Sequence, residues 1–80
     1  MTIEYGCRMC LFKNGEYQSY WEWFATEKEA HYCGDFFINK CRPFYDADRQ
    51  YEIYRREEDG DDVKLTKIYE SLIGEGTWVI

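Results

Sequence analysis

Proline and histidine each occur once in this chain, at Pro43 and His31. No apolar run approaches the length of a membrane span, and no glycine-rich phosphate loop is present. The N-terminus, MTIEYGCRMCLF, lacks a basic segment followed by a long apolar one, so no signal peptide is expected. Repeats, linkers and low-complexity tracts are also missing, and eighty residues read as a single compact domain, 1–80. Positive charge is in short supply: ten Lys and Arg stand against sixteen Asp and Glu, a net charge of −6. That balance excludes direct nucleic-acid binding by phosphate neutralisation and disfavours anionic membranes. It suits a basic protein surface as partner. With no export signal, the expected location is the cytoplasm, where the four cysteines remain thiols.

What the chain has in abundance is aromatic side chains, sixteen in all. A chain this short buries only about 60–65% of the surface it exposes when unfolded. Its small core cannot hold every ring, so an exposed aromatic face is expected.

The stretch 26–42, TEKEAHYCGDFFINKCR, organises the rest. Thr26 followed three residues later by Glu29 is a capping-box start. Ala30, Cys33, Phe37 and Cys41 recur at i, i+3, i+7 and i+11, with Gly34 and Ile38 beside them, one apolar stripe at helical period. Lys28, His31, Asp35 and Asn39 lie on the other side and are expected to face water. Pro43 ends the helix, since the residue before a proline is pushed out of the α region.

Residues 2–12 and 16–24 read as strands joined by Asn14-Gly15, the pair that best tolerates a type I′ turn. A two-residue loop sets Lys13 opposite Glu16, Phe12 opposite Tyr17, Cys10 opposite Ser19, Arg8 opposite Trp21 and Gly6 opposite Trp23. These share one face. Ile3, Tyr5, Cys7, Met9, Leu11, Tyr20 and Phe24 share the more aliphatic face, assigned to the helix. The first face then presents Phe12, Tyr17, Trp21 and Trp23, with Arg8 able to lie over an indole; a bulge or a one-residue slip would exchange the two faces. Residues 49–56 and 63–70 form a second pair of strands around EEDGDD, with Asp59-Gly60 at the turn centre. Residues 77–80 make a short β-prone end. The expected architecture is α+β: an antiparallel sheet of four to five strands with one helix on a face, in the order β-β-α-β-β.

Cys7 and Cys10, with Cys33 and Cys41 or His31, invite a zinc site. Spacing opposes it. Cys33 and Cys41 are separated by a helical rise of about 12 Å, and Cys7 and Cys10 point to opposite faces of a regular strand. Buried, thiol-bearing small hydrophobes are the simpler reading, and no cofactor or metal is expected. His31 has no partner suggesting a catalytic dyad and reads as exposed and idle, so the chain reads as a non-enzyme. Glu57, Glu58, Asp59, Asp61 and Asp62 do not follow a calcium-loop order. They read either as a solvated hairpin tip or as an anionic prong offered to a basic pocket, which with the aromatic anchors Tyr17, Trp21 and Trp23 would pair charge steering with ring burial.

A single 80-residue domain, the Asn14-Gly15 hairpin, the capped helix from Thr26 and the EEDGDD turn together give a chain that resembles the small acidic inhibitors of phages and mobile elements, notably anti-CRISPR proteins. The resemblance implies stoichiometric binding to a nucleic-acid-handling complex, by blocking its basic DNA- or RNA-binding surface. The alternative is a zinc-stabilised or self-associating module in which the aromatic face meets another copy as a homodimer.

Overall fold

The computed structural model describes residues 1–13, 15–40 and 48–71. Four strands, β1 (Thr2–Lys13), β2 (Glu16–Phe24), β3 (Asp48–Asp59) and β4 (Asp62–Glu70), form one antiparallel sheet in the order β2-β1-β3-β4. Among the described residues a single helix, α1 (Glu27–Lys40), lies between β2 and β3 in sequence. The expected α+β arrangement, β-β-α-β-β, is what the chain adopts. Asn14, Cys41, Arg42, Pro43 and residues 77–80, on which sequence expectations rest, lie outside the described residues.

The β1–β2 register follows from its turn. Gly15 takes φ 80°, a left-handed conformation that glycine adopts without steric cost. Lys13 faces Glu16, and the pairing then runs through Phe12–Tyr17, Arg8–Trp21 and Gly6–Trp23, as the two-residue loop requires. Register fixes the faces, because side chains alternate along a strand.

The helix begins on Thr26, whose hydroxyl accepts the Glu29 N–H at 3.2 Å. The same hydroxyl donates to the Glu29 carboxylate at 2.9 Å. The second half of the cap therefore closes on the side chain of Thr26. Ala30, Gly34 and Phe37 are buried, and Cys33 and Ile38 are partly buried against the same core. Opposite them, Cys7 and Leu11 of β1 and Tyr51 and Ile53 of β3 close the layer. Gly34 is required here, since the Tyr51 ring occupies the space that a Cβ would need. Near the helix C-terminus the buried Arg49 donates from Nη1 to the Phe37 carbonyl at 3.2 Å, placing positive charge at the negative end of the helix dipole.

Two expectations are corrected. The acidic run is not a loop of six: β3 continues through Asp59 and β4 starts at Asp62, so only Gly60 and Asp61 turn, with Gly60 at φ 63°. The turn centre is Gly60-Asp61 rather than Asp59-Gly60. His31 is not an exposed residue. It is half-buried, with its ring edge-on to Tyr69 at 4.7 Å and to Tyr51 at 6.3 Å, and Nε2 lies 3.2 Å from Glu27. It sits where the edge of the helix overhangs β4, a position that helical periodicity alone marks as polar.

Candidate interaction face

The helix covers one side of the sheet, packing chiefly on β1 and β3. The other side carries the alternate residues: Gly6, Arg8, Cys10 and Phe12 from β1, Tyr17, Ser19, Trp21 and Trp23 from β2, and Gln50, Glu52, Tyr54 and Arg56 from β3. Among the described residues no element covers this side. Trp21 and Trp23, two residues apart, stack in parallel with centroids 5.2 Å apart and an interplanar angle of 5°. Trp21 also leans on Tyr54 at 5.0 Å. Trp23 lies over Gly6, so close that a Cβ there would come within 2.6 Å of the indole. Both indoles remain more than a third exposed, and Phe12 and Tyr17 about half.

Beneath the rings runs a polar chain centred on Glu52. Arg8 donates to Glu52 at 2.9 Å and to the Tyr17 hydroxyl at 2.6 Å. Tyr54 donates to Glu52 at 3.0 Å and Lys67 at 3.4 Å, while Lys67 also reaches Glu70 at 2.7 Å. The Tyr17 hydroxyl in turn donates to Cys10 at 3.4 Å. Burial alone would push the Glu52 carboxyl up. The bonds from Arg8, Tyr54 and Lys67 outweigh it and hold the group below the usual carboxylate range. The same bond to Glu52 raises Arg8. Arg8 does not lie over an indole. Its guanidinium is 5.8 Å from the Tyr17 ring, held between the Tyr17 hydroxyl on β2 and Glu52 on β3.

The cations of this face are therefore committed within it. Arg8 serves Glu52, Lys67 serves Glu52 and Glu70, and Arg56 lies 3.3 Å from Glu4 and 3.5 Å from Glu58. Among the described residues Glu4, Asp48, Glu52, Glu58 and Glu70 outnumber them, and the face sets its rings on a net negative ground.

The structure divides the five acidic residues assigned to one prong. Asp59, Asp61 and Asp62 are exposed at the β3–β4 turn. Glu57 and Glu58 belong to β3 and are half-buried on opposite faces, Glu57 3.9 Å from Arg55 and Glu58 beside Arg56. Trp23 pairs with Gly6, whereas Glu58 pairs with Thr2, four residues along β1 and so about 13 Å away. The tip and the ring cluster share one end of the sheet without touching.

The cysteines separate as strand alternation demands. Cys7 is fully buried under the helix, while Cys10 belongs to the open side. Burial pushes the Cys7 thiol far up and Cys33 up as well. Among the described residues no three His, Cys, Asp or Glu side chains converge as metal ligands, and no helix is long and apolar enough to cross a membrane.

Tyr32 and Phe36, one turn apart on the outward side of the helix and 73% and 50% exposed, escaped the sequence reading. Their i, i+4 spacing is the signal that would have found a second apolar strip. Comparison with protein-family models, with curated proteins and with solved structures finds no match to this chain.

Proposed function

We propose that the protein is a non-catalytic binding module that lays the Trp21–Trp23–Tyr54 cluster on a basic protein surface, and that it acts as an inhibitor of the anti-CRISPR kind, occupying the nucleic-acid-binding surface of its target in the host cytoplasm. The observation that carries the reading is the stacked, exposed tryptophan pair on a sheet face whose cations are already paired internally. Rigid aromatic anchors supply most of the energy of such contacts, and surplus negative charge steers the encounter. Asp59, Asp61 and Asp62, exposed at the tip, extend that field beyond the rings.

The test is capture of a partner from bacterial lysate, followed by kinetics at two salt concentrations and by competition with the partner's nucleic acid. Trp21→Ala or Trp23→Ala is expected to speed dissociation and cost about 2 kcal/mol or more. Replacing Asp59, Asp61 and Asp62 by Asn is expected to slow association and flatten its salt dependence. A partner that binds both tryptophan variants unchanged, or binds nucleic acid and this protein together, overturns the reading.

A further inference from the structure

Among the described residues the sheet is bounded by β2 and β4, and these two edges are built differently. β4 carries Lys64 and Lys67, and its pairing with β3 shifts register between Ile53 and Tyr54, which leaves Ile68 without a partner. Lysines and irregularities of this kind blunt an edge against further strands. β2 has neither. Its nine residues pair with β1 without a break, contain no lysine or proline, and are exposed from Glu16 through Trp23. Alternation from the closing pair Lys13–Glu16 leaves the N–H and C=O groups of Tyr17, Ser19, Trp21 and Trp23 facing outward, unclaimed by β1.

We propose that β2 pairs antiparallel with β2 of a second copy about a twofold axis at Tyr20, joining two sheets into one of eight strands. In this register Tyr17 faces Trp23 of the second copy and Ser19 faces Trp21, all on the open side and all with outward backbone groups. On the helix side Gln18 faces Glu22, Glu16 faces Phe24, and Tyr20 faces its own equivalent. No like charges oppose. Gln18 already accepts the Tyr20 hydroxyl at 2.7 Å through Oε1, which turns its amide N–H groups free to donate to Glu22 across the axis. The same construction on β4, centred on Thr66, sets Asp62 against Glu70 twice. β2 itself carries only Glu16 and Glu22, each of which faces an uncharged side chain in this register, and the acidic β3–β4 turn lies at the other edge. The pairing leaves the aromatic face open and doubles it, and it stands independently of any target of that face.

Solution mass by light scattering over a broad concentration range tests the proposal. The intact chain is expected to pass from one to two copies as concentration rises. Ser19→Pro, which removes an outward N–H, should hold it at one copy with its circular dichroism unchanged. Tyr20→Lys and Tyr20→Glu, each opposing its own charge at the axis, should each be monomeric, whereas their equimolar mixture should recover the two-copy species by native mass spectrometry. Should Ser19→Pro disturb the fold, the charge pair decides alone. A single-copy mass at every concentration overturns the proposal, as does a dimer that survives either charge change or a mixture that fails to restore it.

Discussion

The two sides of this sheet are made from the same strands and are held by different physics. Under the helix, Cys7, Leu11, Tyr51 and Ile53 meet Ala30, Gly34 and Phe37, and water is excluded. On the open side, Arg8, Glu52, Tyr54 and Lys67 form a bonded chain, and the indoles lie across it half-wet. One side is stabilised by close packing of apolar surface and tolerates little change in volume. The other relies on hydrogen-bond geometry and keeps its large rings adjustable. In a chain this small, dedicating one side to packing leaves the other available for recognition.

A glycine on each side makes the difference measurable. Gly34→Leu forces a side chain into the Tyr51 ring, which cannot retreat because its hydroxyl donates to Asp35 at 2.9 Å and the ring itself is buried. Overpacking there is expected to cost about 1–3 kcal/mol in denaturant unfolding, despite the better helix propensity of leucine. An unchanged midpoint would mean that the two layers slide freely. Next in size, Glu52→Gln removes the charge at the centre of the open-side chain but keeps an acceptor for Arg8, and should cost about 1 kcal/mol, the difference between hydrogen bonds to charged and to neutral groups. Its pH signature has a definite sign. A carboxyl held below its unfolded value contributes stability above that unfolded value and loses it as pH falls through the folded one. The difference in stability between the intact chain and the Gln variant should therefore shrink in acid, and equal differences at neutral and acid pH would remove Glu52 from the role. The smallest effect is expected for Gly6→Ala, about 0.5 kcal/mol or less. Trp23 can swing toward solvent, and alanine is the better strand residue. The visible change should be in tryptophan exciton circular dichroism, as the parallel stack with Trp21 is lost.

The first hairpin was legible because its register is set locally, by two turn residues and by alternation. The helix was legible for the same reason, since Thr26, Glu29 and the stripe from Ala30 to Ile38 lie within one short segment. What escaped was non-local or ambiguous in sign. The pairing Arg8–Glu52 joins residues 44 apart, and nothing near either residue points to the other. Glu57 and Glu58 look like loop residues by composition, yet strand pairing with Ile3 and Thr2 carries them into the sheet, with Arg55 and Arg56 beside them in the strand to neutralise them. Polarity marked His31 as outward, but the sheet is wider than the helix, and β4 supplies Tyr69 where water was expected.

The strand order also has a consequence for how the chain is made. β1 leaves the ribosome first and sits in the interior of the sheet, but its second neighbour, β3, begins only at Asp48. The first hairpin and the helix are thus synthesised while one flank of β1 still lacks its neighbour. The contacts that complete the sheet, Thr2 with Glu58 through Phe12 with Asp48, join residues 56 to 36 apart. Such long-range closures are slow relative to hairpin formation. The nascent protein therefore passes through an interval in which β1 is open to any competing strand, and the late arrival of β3 ends that exposure.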